Sequence, residues 1–550
     1  YRTEGHSSAA MEPHAAIAQW DGDTLTVYAS LQMLNYNISE LADSLGLDED
    51  KVRLVSRYVG GGFGSKLGIS EETVAASVAA MKLERPVRVA MLRQQVLQCI
   101  MRRSETTQRF RLAADENGRL TGFGHEALVS NLPGESFAEP VLQSSHFLYA
   151  GENRELSMEV ARIHRMTAGS VRAPGEAVGM PALECAMDVL AEKCGVDPVE
   201  LRLRNIPDRH PANGTPFSSH KLAECLKQGA EAFGWDSGPR SPRHTREGEW
   251  WIGTGMASAA RVHNVGEAKA RVTLKADGTA LVETDMTDIG TGSYTIIAQT
   301  AAETMGLPLD SVTVELGDSN FPVSSGSGGQ WGAASSTAGV YAACVNLRRM
   351  IGEKLGFDGD AADFQGGLAT LDGQGWQITE AGALSADGEM TYGDFKSDYD
   401  VGTYAAHFAE VRVDAFTGEV HITRMLAVCD AGRILNPLSA RSQVIGGMVM
   451  AAGATLMEDL HVDKRFGFFA NHDLAGYEVP VHADIPHQEC IFLDTLDPIV
   501  SPMKAKGVGE LGICGPNAAV ANAVYNATGV RVREYPITVD KYLDRLPALA

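Results

Sequence analysis

Apolar and polar positions along the chain alternate in short runs that read as strands, and recur at helical spacing in longer runs. Glycine repeatedly joins the two. Residues 24–30 (TLTVYAS) alternate as a half-buried strand does, and 38–45 follow at helical spacing. A second strand is predicted over 52–59 and a helix over 71–83, with strands on either side of the turn at 115–118. Over 181–195 the apolar residues Leu183, Ala186, Met187 and Leu190 share one helical face. Asp197 and Pro198 then suit the cap and first turn of another helix. The polar, proline-bearing stretch 238–249 (GPRSPRHTREGE) reads as a linker and divides the chain into 1–240 and 241–550. The second half predicts a strand at 250–256, a hairpin over 270–283 turning at Asp277-Gly278, and a helix over 296–305 with Gly306 at its C-cap. A small-residue loop (324–339) precedes a helix at 340–355, and a hairpin over 408–429 turns at Thr417-Gly418. A helical stretch containing Gln443 and a last helix at 517–527 complete the pattern.

The 58 glycines change this picture because they cluster between these elements. GGGFGSK (60–66) lies between a strand and a helix, a layout that offers backbone N–H groups to a ligand oxygen. DIGTGSYT (288–295) opens a helix with glycines and hydroxyls and suits a phosphate or pyrophosphate, although it is neither a Walker loop nor a Rossmann fingerprint. SSGSGGQWGAASSTAG (324–339) has the composition of a flexible linker, but Gln330-Trp331 and the helix after it argue for a packed ligand loop. In KAKGVGELG (504–512) one carboxylate, Glu510, ends a glycine run just before a helix. Glycine lets the backbone turn tightly and a ligand come close, and an acid held there suits a general base.

Composition sets outer limits. The 550 residues, 44% of them hydrophobic, supply large cores. A net charge of −23 argues against a nucleic-acid or anionic-membrane surface. No apolar run approaches the ~18 residues of a spanning helix. The eight cysteines (Cys99, Cys185, Cys194, Cys225, Cys344, Cys429, Cys490, Cys514) form no CxxC pair and read as buried thiols of a protein folded in a reducing compartment. With no HExxH and no Cys/His cluster, any iron–sulfur cluster is expected on another chain. The chain opens mid-pattern at Tyr1 with no signal peptide, so an N-terminal part is expected to precede this numbering.

GGGFGSK, VRAPGE (171–176), DIGTGSYT, GGQWGAASST (328–337), DAGRILNP (430–437) with Gln443, and KGVGELG occur in this order. As an ordered set they resemble the xanthine oxidase family of molybdenum hydroxylases over nearly the whole chain, as its molybdenum-cofactor-binding large subunit. The nearest resemblance is to bacterial periplasmic aldehyde oxidoreductases. The resemblance implies a mixed α/β (α+β) fold of two large molybdopterin-binding domains with the cofactor between them, preceded in the family by a small N-terminal domain absent from this numbering. It implies no protein ligand to molybdenum, which a pterin dithiolene holds in the sulfido form, the pterin carrying a cytosine dinucleotide.

By the same resemblance Gln32 bonds the oxo group, Gly62, Phe63 and Gly64 form the turn nearest the metal, Arg172 stands beside the site, and Gln443 lies beside the cofactor. Gly290, Thr291, Gly292 and Ser293, with Gln330, Trp331, Gly332, Ser335, Ser336 and Thr337, bind pterin and pyrophosphate. Lys506, Gly507, Val508 and Gly509 lead to Glu510. Glu510 is implied as the base that takes a proton from the molybdenum-bound hydroxyl while hydride passes to the sulfido group, and Arg261, with Arg172, as the stabiliser of the developing oxyanion. The implied partners are a [2Fe–2S] subunit and an FAD subunit in a heterotrimer. The implied location is the periplasm, reached as a folded complex, or otherwise the cytoplasm.

Two departures from purine-oxidising members bear on substrate. Leu67 stands where those have a purine-binding glutamate, and Pro174 where they have a phenylalanine. Both favour a wide apolar pocket for aldehydes, aromatic ones included. The alternatives are hydroxylation of an N-heterocycle and a non-catalytic nucleotide-binding subunit.

Overall fold

The computed structural model describes residues 1–238, 241–392 and 398–546. Two strand–helix–strand units frame the molecule's main cavity. In the first, strand Leu25–Ala29 pairs in parallel with Val52–Val55, and helix Leu34–Leu45 connects them. In the second, Ala280–Thr284 pairs in parallel with Val312–Leu316 through helix Ser293–Met305. A parallel pair needs such a crossover, and ligands collect beyond the carboxyl ends of such strands. Gln32 and the 288–293 loop stand at those ends. Among the hydrogen bonds that tie the units together, Gln32 O accepts from Thr287 Oγ1 (2.9 Å) and from Ser327 N (2.8 Å), and Gln32 Nε2 donates to Ser327 O (2.7 Å).

The largest core lies behind a five-stranded sheet ordered Gln488–Phe492, Val420–Asp430, Gly402–Asp414, Trp250–Val262, Thr245–Glu247. Helix Pro516–Thr528 packs on strand Trp250–Val262 at very short range. A Cβ on Gly253 or Gly255 would lie 2.1 or 2.2 Å from the carbonyl oxygens of Ala523 or Ala519. That approach explains Gly253 and Gly255. The strand runs past its predicted end at Met256 to Val262 through Ala257, Ser258, Ala259 and Ala260, small residues that lack the side chains by which a strand is recognised.

The hairpins appear where predicted, with Leu274 opposite Ala280 and Asp414 Oδ1 capping Phe416 and Thr417. Other boundaries differ. The first strand of the Gly60 turn ends at Val55, and helix Leu34–Leu45 begins four residues earlier than predicted. Helix Glu176–Cys194 starts before Pro181, which sits buried inside it. The predicted linker includes Pro239 and Arg240, which lie outside the described residues, as does the expected division at 240/241. The cysteines are free thiols, but Cys99 is exposed and Cys194 and Cys490 are half-buried, contrary to a uniformly buried set.

Candidate active site

Turns from distant parts of the chain meet around a cavity of about 860 Å³, at the large end of the range usual for ligand sites. Glycine permits the meeting. A Cβ on Gly64 would lie 1.7 Å from Ser170 O, and one on Gly507 would lie 1.7 Å from Gln330 O. Phe63, Ala173 and Gln330 adopt φ of +54°, +54° and +53°, a region that side chains rarely enter. Two of them, Phe63 and Gln330, line the cavity, and Ala173 lies between the lining residues Arg172 and Pro174, a clustering that marks a functional site.

Arg172 locks these walls together. Its Nε donates to Gly509 O at 2.8 Å and its Nη2 to Gln443 O at 2.7 Å, while its own N–H reaches Phe63 O at 2.9 Å. Burial lowers its pKa to about 10, against the opposing charge of Glu510. Two backbone carbonyls hold the guanidinium, so Arg172 clamps the turns together in the cavity wall.

Arg261 ends strand Trp250–Val262 and meets two carboxylates. Its Nε donates to Glu510 Oε2 at 2.7 Å and its Nη1 to Glu176 Oε2 at 2.8 Å. Burial alone would lower its pKa, but the Glu176 charge and then that of Glu510 outweigh burial and keep the guanidinium charged. Glu510 retains 13% side-chain exposure, whereas Glu176 has none. Among the described residues no hydrogen bond reaches Glu510 Oε1. The Glu510 backbone N–H donates to Gln330 Oε1 (3.3 Å), and Gln330 Nε2 is anchored on Thr403 Oγ1 (2.9 Å).

The other residues singled out by sequence divide by position. Gly290, Thr291, Ser293, Trp331, Gly332, Gln443, Lys506, Gly507, Val508 and Gly509 stand in the cavity wall with Gln32, Phe63 and Gly64. Gly62 lies behind the wall, where its missing side chain admits Gln32: a Cβ there would be 2.3 Å from Gln32 Oε1. Gln32 Oε1 accepts from Gly64 N and Lys66 N, so its amide shapes the turn. Gly292 backs onto Ser439.

Ser335, Ser336 and Thr337 do not line the cavity. They lie inside helix Gly332–Leu355, which begins eight residues before its predicted start. The hydroxyls of Ser336 and Thr337 bond to helix carbonyls, and Ser335 Oγ accepts from Gly266 N. The 288–295 loop differs from a bare anion site in a second way. Asp288 Oδ1 accepts from the N–H groups of Gly290, Thr291 and Gly292, so these donors are already engaged, and the hydroxyls of Thr291 and Ser293 bond each other at 3.2 Å. Lys506 turns its charge inward: Nζ bonds Ser219 Oγ (2.6 Å) and Gly402 O (2.8 Å), with Asp497 at 3.4 Å and Asp430 at 3.9 Å. Lys506→Met strips two buried carboxylates of this ammonium and is expected to cost about 3–5 kcal/mol, read as a fall in the thermal midpoint.

Sequence reasoning passed over Glu176, Asp288 and Thr403. Glu176 and Asp288 stand inside quoted glycine turns. Their acceptor chemistry was visible, but their partners lie on other segments.

The chain belongs to the molybdenum-binding subunits of the xanthine oxidase family. Molybdopterin cofactor-binding domains match residues 1–206 and 228–486. The chain is 53% identical over 551 residues to the aldehyde oxidoreductase molybdenum-binding subunit PaoC of Escherichia coli O157:H7, covering 100% of this chain and 75% of that one. Its fold superposes on quinoline 2-oxidoreductase of Pseudomonas putida 86 with a TM-score of 0.89 at 23% identity (100% of this chain, 76% of that chain). On the aldehyde oxidoreductase of Desulfovibrio gigas the TM-score is 0.85 at 25% identity (100% and 61%). The residues present fit a large polar cofactor. A Cβ at Gly509 would find nothing nearer than 3.8 Å, and one at Gly290 nothing within 4 Å, so both backbones stand open for close approach.

Proposed function

We propose that this chain is the catalytic subunit of an enzyme that oxidises aldehydes, aromatic ones included, to carboxylic acids, with Glu510 as general base. The observation that carries this reading is the pairing of Glu510 with Arg261 beside an apolar stretch of wall. Arg261 fixes Oε2, and Oε1 is available to a reactant. A carboxylate so held has one oxygen fixed and the other placed to accept a proton. Leu67 and Pro174, the two departures from purine oxidisers, both stand in the cavity wall beside Met33, Met101, Phe137 and Val262. They offer a flat apolar ring contact area and no hydrogen-bonding partner for a purine's polar edge.

When bound, the molybdenum cofactor supplies the oxygen nucleophile and takes up the electron pair that leaves the aldehyde. Gly290, Ser293, Gln443 and the 507–509 turn would hold its pterin and cytosine nucleotide. Glu510 Oε1 receives the proton of the attacking oxygen. Arg261, shared between two carboxylates, keeps that side chain oriented, and Arg172 keeps the turn beneath it in place. Partner subunits carrying [2Fe–2S] and FAD would take the electrons onward.

The test is made on the complex purified from its own host. Molybdenum near one per chain, a cytosine nucleotide released by acid, and faster turnover of an aromatic aldehyde than of an N-heterocycle are expected. Preference for the heterocycle would replace the aldehyde reading, and an intact complex without molybdenum would make the chain a nucleotide-binding subunit.

A further inference from the structure

Helix Glu176–Cys194 lies along the edge of strand Trp250–Val262 that, among the described residues, carries no strand partner beyond Ile252. Two glutamates of the helix, eight residues apart, satisfy that edge. Glu184 Oε2 accepts from Ser258 N at 2.7 Å, and Glu176 Oε1 accepts from Val262 N at 3.2 Å. They differ in what else they hold. Glu184 is neutralised within the scaffold by Arg202 at 2.6 Å. Glu176 is bonded to Arg261, which also holds Glu510.

We propose that Glu176 is a positioning residue that fixes the Arg261 guanidinium and thereby governs how readily the Glu510 carboxylate accepts a proton. The inference rests on the reading of Glu510 as base.

Three observations carry it. Glu176 is fully buried with both oxygens engaged, so it exchanges no proton with substrate or solvent. Its backbone is pinned: Gly175 has φ of +88°, a Cβ there would meet Pro140 O at 2.3 Å, and Gly175 N donates to Glu139 Oε1 at 2.7 Å. Glu139 in turn pairs with Arg103, whose Nη2 donates to Arg172 O at 2.6 Å, so a chain of bonds links the clamp to the turn that carries Glu176. Finally, the guanidinium charge is divided. The charged or titratable groups around Glu510 are Arg261 on the strand, Arg172 on the 170–175 turn and Cys514 on its own turn, with Glu176 behind Arg261. Glu176 draws part of the Arg261 charge away from Glu510. Without it, the whole cation faces Glu510, which then holds protons more weakly and is a poorer base at its working pH.

Glu176→Gln and Glu176→Asp are compared with the wild-type complex and with Glu510→Gln. Glutamine keeps an acceptor for Val262 N and loses the charge, while aspartate keeps the charge. In Glu176→Gln, kcat for an aromatic aldehyde is expected to fall about tenfold and the acid limb of its pH profile to move about one unit lower. KM is expected to change less than about twofold, because binding of a neutral substrate does not draw on this charge. In Glu176→Asp the acid limb stays near that of the wild type. A crystal structure of Glu176→Gln is expected to show the guanidinium turned onto Glu510 with two bonds to it. A strand-edge cap alone would lower the thermal midpoint and leave limb, kcat and Arg261 in place, which would overturn the inference. So would an acid limb in Glu176→Asp displaced as far as in Glu176→Gln, a result that also decides the matter should the glutamine variant fail to fold. Turnover surviving in Glu510→Gln would instead remove the base reading beneath it.

Discussion

Glu510→Gln is expected to lower kcat by about 10²–10⁴-fold, roughly 3–5 kcal/mol of barrier, with molybdenum content unchanged. Glutamine preserves the volume and an acceptor for Arg261 Nε, so the turn keeps its shape and its backbone bond to Gln330. What it removes is an oxygen able to carry a proton. Of the two carboxylates on Arg261, Glu176 has no exposed side-chain surface, so Glu510 is the one that can meet a reactant. The measurement is turnover and metal content on one preparation. Near-normal turnover with full metal content would end the role assigned to Glu510.

The second large effect is structural. Gly64→Ala combines a φ of +101° with a Cβ 1.7 Å from the carbonyl oxygen of Ser170. No rotamer relieves a collision with backbone, so the 62–64 and 170–172 turns must separate. A cost of roughly 3 kcal/mol or more follows from overpacking plus a left-handed alanine. Loss of most bound molybdenum is expected, since Phe63 and Arg172 move apart. Gly195→Ala is the control: it has φ of +64° at a helix end with nothing within 4 Å, and so carries dihedral strain alone. Equal metal content in the two variants would show that close approach of the turns does not shape the cofactor site.

The strand–glycine–helix pattern could be read from residues because each instance is local: a few alternating positions, a turn, and a helical face. The ordered glycine motifs likewise located the cavity wall. What escaped depends on neighbours far along the chain. The 332–339 segment reads as loop because it is small and hydroxylated. It is helix because that face presses on strand Ala268–Leu274, where a Cβ on Gly339 would come 2.6 Å from Ala268 O. Gly253 and Gly255 lack side chains for a similar reason. Ser335 to Thr337 read as ligand groups because hydroxyls serve ligands and helix carbonyls equally well. Glu176 was visible in its turn, but its function depends on Arg261 on another strand.

The Arg172 clamp joins its turn to Gly509 across 337 sequence positions. A fragment that lacks either turn therefore contains no finished cofactor pocket. Occupancy of the pocket is linked to the cooperative folding of the whole subunit and not to any one segment. A tightly held cofactor then stabilises the native state globally, in proportion to the logarithm of its concentration over its dissociation constant. Loss of the cofactor lowers the stability of regions that never touch it.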